Sequence, residues 1–329
     1  MQRKIIFKNK SNNMANFTDF SGITYAGKEY QEIYSKDLYS LDLRNYGITM
    51  LDGVKSKQKI YKGEIGDVTQ LYSCPFTPQG EASLAESYIE PAAIKYNLEN
   101  CYDAFWPTYL VEQTSISIRG GIPQTFADWF FAKFREKQAR EYEEIFWSGD
   151  TGRTATTKSY LKVVDGIETQ LEANTGVTKI DGSAFTVDNI LAQVEAVIQS
   201  GMSKAAQDEV DIANYKVLMN YADVQLLKMA LGKICCPNNQ SIFSNYAMGA
   251  NGSVVIFGFE VIPTMQSRNG IIFTDPRNLV LGFDTFDDHL SWKLIDMRNS
   301  TGDNAFRIIG IANIAVGIVW PEGVIYSRP

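Results

Sequence analysis

Residues 125–152 read TFADWFFAKFREKQAREYEEIFWSGDTG, and this stretch predicts the clearest helix of the chain. Thr125 and Asp128 form a variant of the capping box immediately before an apolar run, as is common where helices begin. Apolar side chains then recur at helical spacing, namely Phe126, Phe130, Phe134, Tyr142, Ile145 and Phe146. The pattern predicts a helix over 126–147, which would be about 33 Å long at about 1.5 Å per residue.

The end of this helix contains Asp150-Thr151-Gly152, the active-site signature of aspartic proteases. Those enzymes need two such aspartates that share one proton. Here the triplet occurs once and follows a helical pattern, so a homodimer would have to supply the second aspartate. The favoured interpretation is structural: Gly149 stops the helix in a left-handed conformation, and Asp150 begins a turn. Catalysis at Asp150 is kept as a remote alternative.

The segment at 48–100 predicts a long polar hairpin. Two strand-like stretches flank a turn-rich tip, CPFTPQGEASL at 74–84. A two-stranded hairpin is barely stable alone, so it is expected to lie on another element. The first stretch carries four lysines, which form either a solvated face or a basic strip that meets acidic surface on a neighbouring subunit. These are Lys55, Lys57, Lys59 and Lys62.

The second half of the chain predicts mixed helix and sheet. Thr186 is expected to cap an amphipathic helix that ends at Gly201. A strand at 215–220 then leads into a short helix at 222–231. Five strand-like runs follow: SVVIFGFEVIP, GIIFTD, NLVLGFD, WKLIDMR and FRIIGIANIAVGIVW. The predicted fold class is therefore α+β, without an internal repeat or a linker between independent domains.

Composition argues against several classes of function. The chain has 329 residues and a formal net charge of −7, whereas proteins that grip nucleic acid through its phosphates normally present a basic face. The only histidine, His289, removes most triad and His-metal chemistries unless it carries them itself. The four cysteines have no CxxC spacing and predict reduced thiols. They are Cys74, Cys101, Cys235 and Cys236.

No other motif predicts a catalytic, cofactor or metal site. The glycines at 120–121 and 249–252 match neither phosphate-binding pattern. Asp284, Asp287 and Asp288 precede His289 without a calcium-loop glycine, so an acidic solvated turn is favoured over a metal site. The N-terminus does not resemble a signal peptide. The apolar segment at 308–320 is shorter than the about 20 residues of a membrane helix and suits a buried strand, so a soluble, intracellular product is expected.

The order of these elements resembles the HK-97-type shell fold of major capsid proteins from tailed double-stranded DNA phages. The resemblance covers about residues 45–329 and depends on an ordered set of features, since any one motif would recur by chance. The set comprises the polar hairpin, the helix ending in Phe146-x-x-Gly149-Asp150-Thr151, the loop Asp165-Gly166-Ile167, and then Val217–Asn220, Phe257–Pro263 and the strands from Gly282 onward.

The resemblance implies a role for each part of the chain. Residues 1–47 would be an N-terminal arm, and residues 48–100 an extended loop that overlaps a neighbouring subunit. A peripheral domain would comprise 101–180 and 281–329, with the helix at 126–147 as its spine. An axial domain at 181–280 would surround the five- and six-fold axes. Some relatives carry Lys–Asn cross-links between subunits, but no residue match identifies such a pair here.

The implied function is structural rather than enzymatic. The protein would assemble as pentamers and hexamers into an icosahedral head that encloses double-stranded DNA and contacts it without sequence specificity. Expected partners are further copies, a separate scaffolding protein and a portal, with no cofactor, metal or membrane. The expected location is the virion, and the host cytoplasm during assembly. An encapsulin-type nanocompartment shell, which has the same fold and encloses protein cargo, is the main alternative.

Overall fold

A computed structural model describes residues 24–25, 42–66, 69–72, 82–101, 126–208, 212–234, 246–248, 254–267, 269–284, 292–297, 301–303 and 305–328. Most of the predicted arm and the predicted hairpin tip lie outside these residues, as do Thr125 and the glycines at 120–121 and 249–252. The described part of the chain mixes helices with sheets, which confirms the predicted α+β class.

The described residues form five α-helices, three short 3-10 helices and fifteen strands. The helices are α1 (Asp42–Tyr46), α2 (Phe126–Ser148), α3 (Ile167–Ala173), α4 (Ile190–Asp208) and α5 (Tyr221–Ile234). The strands are β1 (Thr24–Tyr25), β2 (Thr49–Asp52), β3 (Gln58–Ile65), β4 (Ala82–Ile89), β5 (Ala92–Cys101), β6 (Thr178–Asp181), β7 (Lys216–Asn220), β8 (Tyr246–Met248), β9 (Val254–Ile256), β10 (Phe259–Thr264), β11 (Ile271–Thr274), β12 (Leu279–Phe283), β13 (Trp292–Asp296), β14 (Ala305–Ile318) and β15 (Ile325–Arg328).

The first sheet is built around the long strand β14. Its strands run in the order β1-β13-β14-β12-β2, and β5 also pairs with β14. Residues of β14 alternate between buried and exposed over its first half, with Phe306 and Ile308 buried and Ile309 exposed. The buried side chains join Phe146 and Trp147 of α2 in one apolar core, because a half-buried strand and an amphipathic helix present matching apolar faces.

The second sheet separates this core from another one. Its order is β6-β15-β11-β7-β10-β9-β8, and β7 and β10 run parallel. Leu218 and Ile272 on one face belong to the first core. Val217 and Phe273 on the opposite face join the apolar side chains of α4 and α5 in a second core. This sheet is therefore covered on both faces, with α4 and α5 as its outer helical layer.

Helix α2 spans Phe126–Ser148, one residue longer than the helix predicted over 126–147. Tyr142, Ile145 and Phe146 are buried, as their spacing predicts. Helix α4 differs more from expectation, since it begins at Ile190 and continues through Gly201 to Asp208. A Cβ atom at residue 201 would lie 2.4 Å from Cε1 of Phe273. This glycine allows close packing of helix on sheet and does not terminate the helix.

The predicted strand SVVIFGFEVIP is in fact a hairpin of two strands. β9 and β10 pair antiparallel, with Phe259 opposite Ile256. The two residues between them, Phe257 and Gly258, have φ of 48° and 88°. A two-residue turn with positive φ at both positions matches the right-handed twist of paired strands, which explains the reversal at this point.

Candidate assembly interface

The hairpin predicted at 48–100 contains one antiparallel pair and one departing strand. β3 and β4 pair from Gln58 opposite Ile89 to Ile65 opposite Ala82. The predicted return strand is interrupted after Ile89, and its second part, β5, pairs instead with β14. Pro91 lies at this change of partner, where the missing backbone N–H interrupts a sheet ladder. The projecting pair is thus continuous with a strand of the first sheet.

One face of the β3–β4 pair packs on the protein's own first sheet. Ile89 is fully buried in a small core with Val54 and Val280, and Ile60 packs against the same cluster. The Ser87 hydroxyl donates to the carbonyl oxygen of Ile318 over 3.1 Å. These contacts fix which side of the hairpin faces inward, as expected for an element that needs support from another surface.

The opposite face of the pair is exposed and partly apolar. Tyr61, Leu84 and Tyr88 are 57%, 71% and 49% exposed. Lys59 is opposite Tyr88, and Tyr61 is opposite Glu86, so these side chains share the face that points away from Ile60 and Ile89. A group of large exposed apolar residues on one surface is typical of a contact site. We refer to Tyr61, Leu84 and Tyr88 as the outer hairpin face.

Two of the predicted contact lysines already have acidic partners within the hairpin. The Lys59 ammonium donates to a Glu86 oxygen at 2.7 Å, and the Tyr88 hydroxyl donates to the same oxygen at 2.8 Å. The hydrogen bond between Lys59 and Glu86 raises the pKa of the lysine and lowers that of the carboxyl group. Lys57 lies 3.7 Å from Glu90 and 5.0 Å from the centroid of the Tyr88 ring.

For the other two predicted contact lysines, Lys55 and Lys62, the structure gives less information. Lys55 is exposed in the turn before β3, and the side chain of Lys62 lies outside the described residues. Contact of the four lysines with a neighbouring subunit stays a prediction. Sequence reasoning missed the outer hairpin face, although its alternation is present in the sequences of β3 and β4. That alternation does not say which side is covered, because both strands carry apolar residues on both faces.

The end of α2 differs from the predicted left-handed stop. Among the described glycines, φ is positive at Gly47, Gly53, Gly258 and Gly302, and Gly149 is not in this group. Instead, a Cβ at residue 149 would lie 2.2 Å from the Val164 carbonyl oxygen and 2.9 Å from the Gly166 nitrogen. The loop that contains Gly166 therefore crosses directly over the helix end. Glycine is required here because two backbone segments approach closely.

Asp150 stabilises the turn that follows this crossing. Its carboxylate accepts a hydrogen bond from the Gly152 amide over 2.9 Å, and its own amide donates to the Leu161 carbonyl oxygen over 2.7 Å. Asp165, on the crossing loop, accepts from both the amide and the hydroxyl of Thr151 over 2.8 Å. Each carboxylate thus accepts hydrogen bonds from amide or hydroxyl groups of the turn, as aspartate commonly does in turns.

The remaining sequence candidates do not come together in a site. Asp284 is buried, contrary to the predicted solvated turn, and Asp287, Asp288 and His289 lie outside the described residues. Within the part of the chain that the structure describes, no group of three His, Cys, Asp or Glu side chains could hold a metal ion. No helix in that part is long and apolar enough to cross a membrane. Cys101 is exposed at the end of β5, and the other cysteines lie outside the described residues.

Several solved structures share this architecture. A chain of the procapsid of satellite phage P4, which includes the size determination (Sid) protein, aligns with a TM-score of 0.59 at 11% sequence identity, covering 96% of this chain and 93% of that one. The protein has a phage capsid fold. A chain of an empty GTA particle capsid shares that fold at a TM-score of 0.54 and 12% identity, over 87% of this chain and 89% of that one.

The capsid of Myoviridae phage XM1 provides a third example of the capsid fold. It aligns with a TM-score of 0.51 and 12% identity, over 88% of this chain and 91% of that one. No protein-family model matches the sequence, and no curated protein matches it either. The likeness is therefore one of structure along nearly the whole chain, at sequence identities near one residue in eight or fewer.

Proposed function

We propose that this protein is the major capsid protein of a tailed double-stranded DNA phage. It assembles as pentamers and hexamers into an icosahedral head, first in the host cytoplasm and finally in the virion. The observation that carries the proposal is the capsid fold along 96% of the chain, matching 93% of a procapsid chain. The encapsulin alternative is not favoured, since the similar structures reported above are phage and GTA capsids.

In this proposal the β3–β4 hairpin is the extended loop that reaches a neighbouring subunit. Ile60 and Ile89 pack on the first sheet, so the outer hairpin face points away from the described residues of that sheet. Burying exposed Leu84 and the two tyrosines is favourable by about 25 cal/mol per Å² of apolar surface removed from water. A second copy of the chain can cover this face, which the described residues of the parent chain leave exposed.

The remaining part assignments belong to the same proposal. Helix α2 is the spine of a peripheral domain that includes the first sheet, and the layer of α4 and α5 belongs to an axial domain. Residues 1–47 are the arm, and a separate scaffolding protein and a portal are further partners. A net charge of −7 suits a shell lining, because repulsion between acidic protein and phosphates lets packaged DNA slide without sequence-specific binding.

The proposal is tested by expressing the chain with and without the phage's scaffolding protein and imaging the products by electron microscopy. We expect closed shells from the wild type. Leu84→Asp should abolish assembly, because it places a charge in the outer hairpin face. Lys57→Gln on the same hairpin is the matched control and should assemble, since Lys57 already pairs with Glu90.

Two results would contradict parts of this scheme. A wild type that stays monomeric at high concentration, with or without scaffold, would overturn the capsid function. Assembly by Leu84→Asp together with failure of Lys57→Gln would assign the contact to the lysines instead of the outer hairpin face. Circular dichroism of each variant before assembly shows whether the free chain is folded.

A further inference from the structure

The two-residue turn between β9 and β10 contains a residue type that such a turn disfavours. Phe257 has a φ of 48° and Gly258 a φ of 88°. Both central residues of a type I′ turn adopt positive φ, and asparagine or aspartate followed by glycine is preferred there. Gly258 meets this preference. Phe257 does not, because a bulky side chain is strained at positive φ.

The flanking strands hold the turn in this conformation. Phe259 lies opposite Ile256, directly beside the turn. The Phe259 ring packs edge-on against the ring of Phe273, with the two centroids 5.0 Å apart. Glu260 pairs with Lys216 of β7 at 3.1 Å, and β10 also pairs with β7 along the strand. Backbone strain persists where the surrounding structure fixes a residue in this way.

The strained residue is also exposed to solvent. Phe257 is 40% exposed, and a Cβ atom at residue 258 would meet no heavy atom within 4 Å beyond those of its chain neighbours. The turn thus projects from the end of the second sheet. An asparagine at residue 257 would suit the backbone better and would expose no aromatic ring to water. A strained and exposed aromatic residue therefore indicates a role beyond the folding of the single chain.

The position of the turn in the fold favours another copy of the chain as its contact. The turn lies near one edge of the second sheet, in the proposed axial domain. Copies arranged around a five- or six-fold axis contact each other head to tail, so each presents one surface and receives a different one. A single projecting turn suits such a contact, because it meets the next copy without facing its own counterpart. Aromatic side chains are enriched in contacts between proteins.

We propose that Phe257 packs against the axial domain of the next copy in the same pentamer or hexamer. Each copy supplies one Phe257 ring to one neighbour and receives one from the other neighbour. The contact gives a reason for phenylalanine at a position that the turn alone would fill with asparagine. This inference rests on the proposed capsid function, because it concerns a second self-contact of the same shell. It is separate from the hairpin contact, which is made by strands that pack on the first sheet.

Photo-cross-linking tests the contact directly in shells of the full chain. Replacing Phe257 by the photoreactive residue p-benzoylphenylalanine keeps an aromatic ring at the turn. After illumination, we expect a denaturing gel of shells, but not of dissociated subunits, to show a ladder that reaches pentamers and hexamers. The cross-linked peptides should come from residues 181–280. A ladder that stops at dimers would overturn the ring contact in favour of a two-fold contact, and cross-links to scaffold alone would also overturn it.

A matched pair of substitutions separates the contact from folding. Phe257→Asn suits the type I′ turn and removes the ring, whereas Phe257→Tyr keeps the ring. We expect Phe257→Asn to leave the urea midpoint of the unassembled chain unchanged or higher. The same variant should raise the lowest protein concentration that forms shells by about tenfold, as expected for loss of an aromatic contact residue. Phe257→Tyr should assemble as the wild type does.

The possible failures of this inference differ from failure of the capsid function. A lower urea midpoint for Phe257→Asn would overturn the inference by assigning the ring to the folding of its own chain. Assembly of Phe257→Asn at the wild-type concentration would overturn it as well. Both results leave the capsid function intact, because the wild type still forms shells. A wild type that forms no shells, with or without scaffold, would overturn the capsid function and this contact with it.

Discussion

At the scale of single residues, Gly149 and Gly166 show how one turn can fix two segments. The Gly149 carbonyl oxygen accepts from the Gly166 amide over 2.9 Å, and Thr169 donates its hydroxyl to the same oxygen over 2.7 Å. A Cβ on Gly166 would lie 2.5 Å from the Gly149 nitrogen. Neither of the two crossing segments can carry a side chain at this point. The crossing therefore holds the start of α3 next to the end of α2.

Gly149→Val should therefore destabilise the free chain strongly. The new side chain would collide with the Val164 carbonyl oxygen, and overpacking of this kind costs about 1–3 kcal/mol or more. Urea unfolding of the unassembled chain measures the effect. Asp150→Asn is the control and should cost less than about 1 kcal/mol, because an amide oxygen can still accept from the Gly152 amide. The reverse order of effects would contradict the role assigned to Gly149.

Asp223 is a buried acid that sequence reasoning did not single out. It lies in the first turn of α5, where the Asn220 side chain accepts from the Ala222 amide over 2.8 Å. One oxygen of Asp223 has no hydrogen-bond partner among the described residues. Burial raises the pKa of Asp223 to about 6, above its ordinary value of 3.8. Between these two pKa values, the Asp223 carboxyl group stays protonated in the folded chain and is ionised in the unfolded chain.

This acid makes the free energy of unfolding depend on pH. Because the folded-state pKa is raised, stability is highest below pH 4 for this group and falls as pH rises towards 6. A shift from 3.8 to about 6 corresponds to about 3 kcal/mol. Compared with the wild type, Asp223→Asn should gain up to this amount at pH 7 and little at pH 4. Urea unfolding at both pH values measures it, and an equal difference at both would contradict the prediction.

At the scale of elements, the sequence pattern predicted those features that depend on residues close together in the chain. The apolar spacing of α2 gave its C-terminal end to within one residue, because helix periodicity lies within the helix itself. Gly201 was misread because its reason is the Phe273 ring on another element. The division of the return strand at Pro91 was missed for a related reason, since β5 changes partner to a strand far along the chain.

The candidate interface also combines local features, which could be predicted, with features that depend on contacts between distant elements, which could not. Its strands and lysines could be predicted from the alternation and the turn residues of the hairpin. The exposed face could not be predicted, because it depends on contacts of Ile89 with Val280 of the first sheet and with Val54 in the loop after β2. The pairing of Lys59 with Glu86 was equally hidden, since it depends on the register of two strands separated by the tip.

At the scale of the whole molecule, the proposed hairpin contact combines apolar side chains with ion pairs made within one chain. It does not rely on attraction between opposite charges of different subunits. The molecule as a whole carries a net charge of −7, so neighbouring copies repel one another at long range.

Added salt should therefore favour assembly. Salt screens repulsion between acidic subunits, with a Debye length of about 10 Å at 0.1 M, and does not weaken apolar burial. When NaCl is raised from 0.05 M to 0.5 M, we expect the lowest protein concentration that forms shells to decrease by about threefold or more. Light scattering across a protein dilution series measures this concentration. A rise with salt would indicate that charge pairs between subunits, including Lys55 or Lys62, dominate the contact.

The continuity of β4 with β5 has a mechanical consequence. Only Glu90 and Pro91 separate the strand that would meet a neighbour from a strand held along ten consecutive residues by β14. Tension applied to the hairpin along its length would pull β5 parallel to its partner. All the hydrogen bonds of that pair would then share the load at once, rather than breaking one after another. A connection that resists sliding in this way would carry force between subunits of the proposed shell.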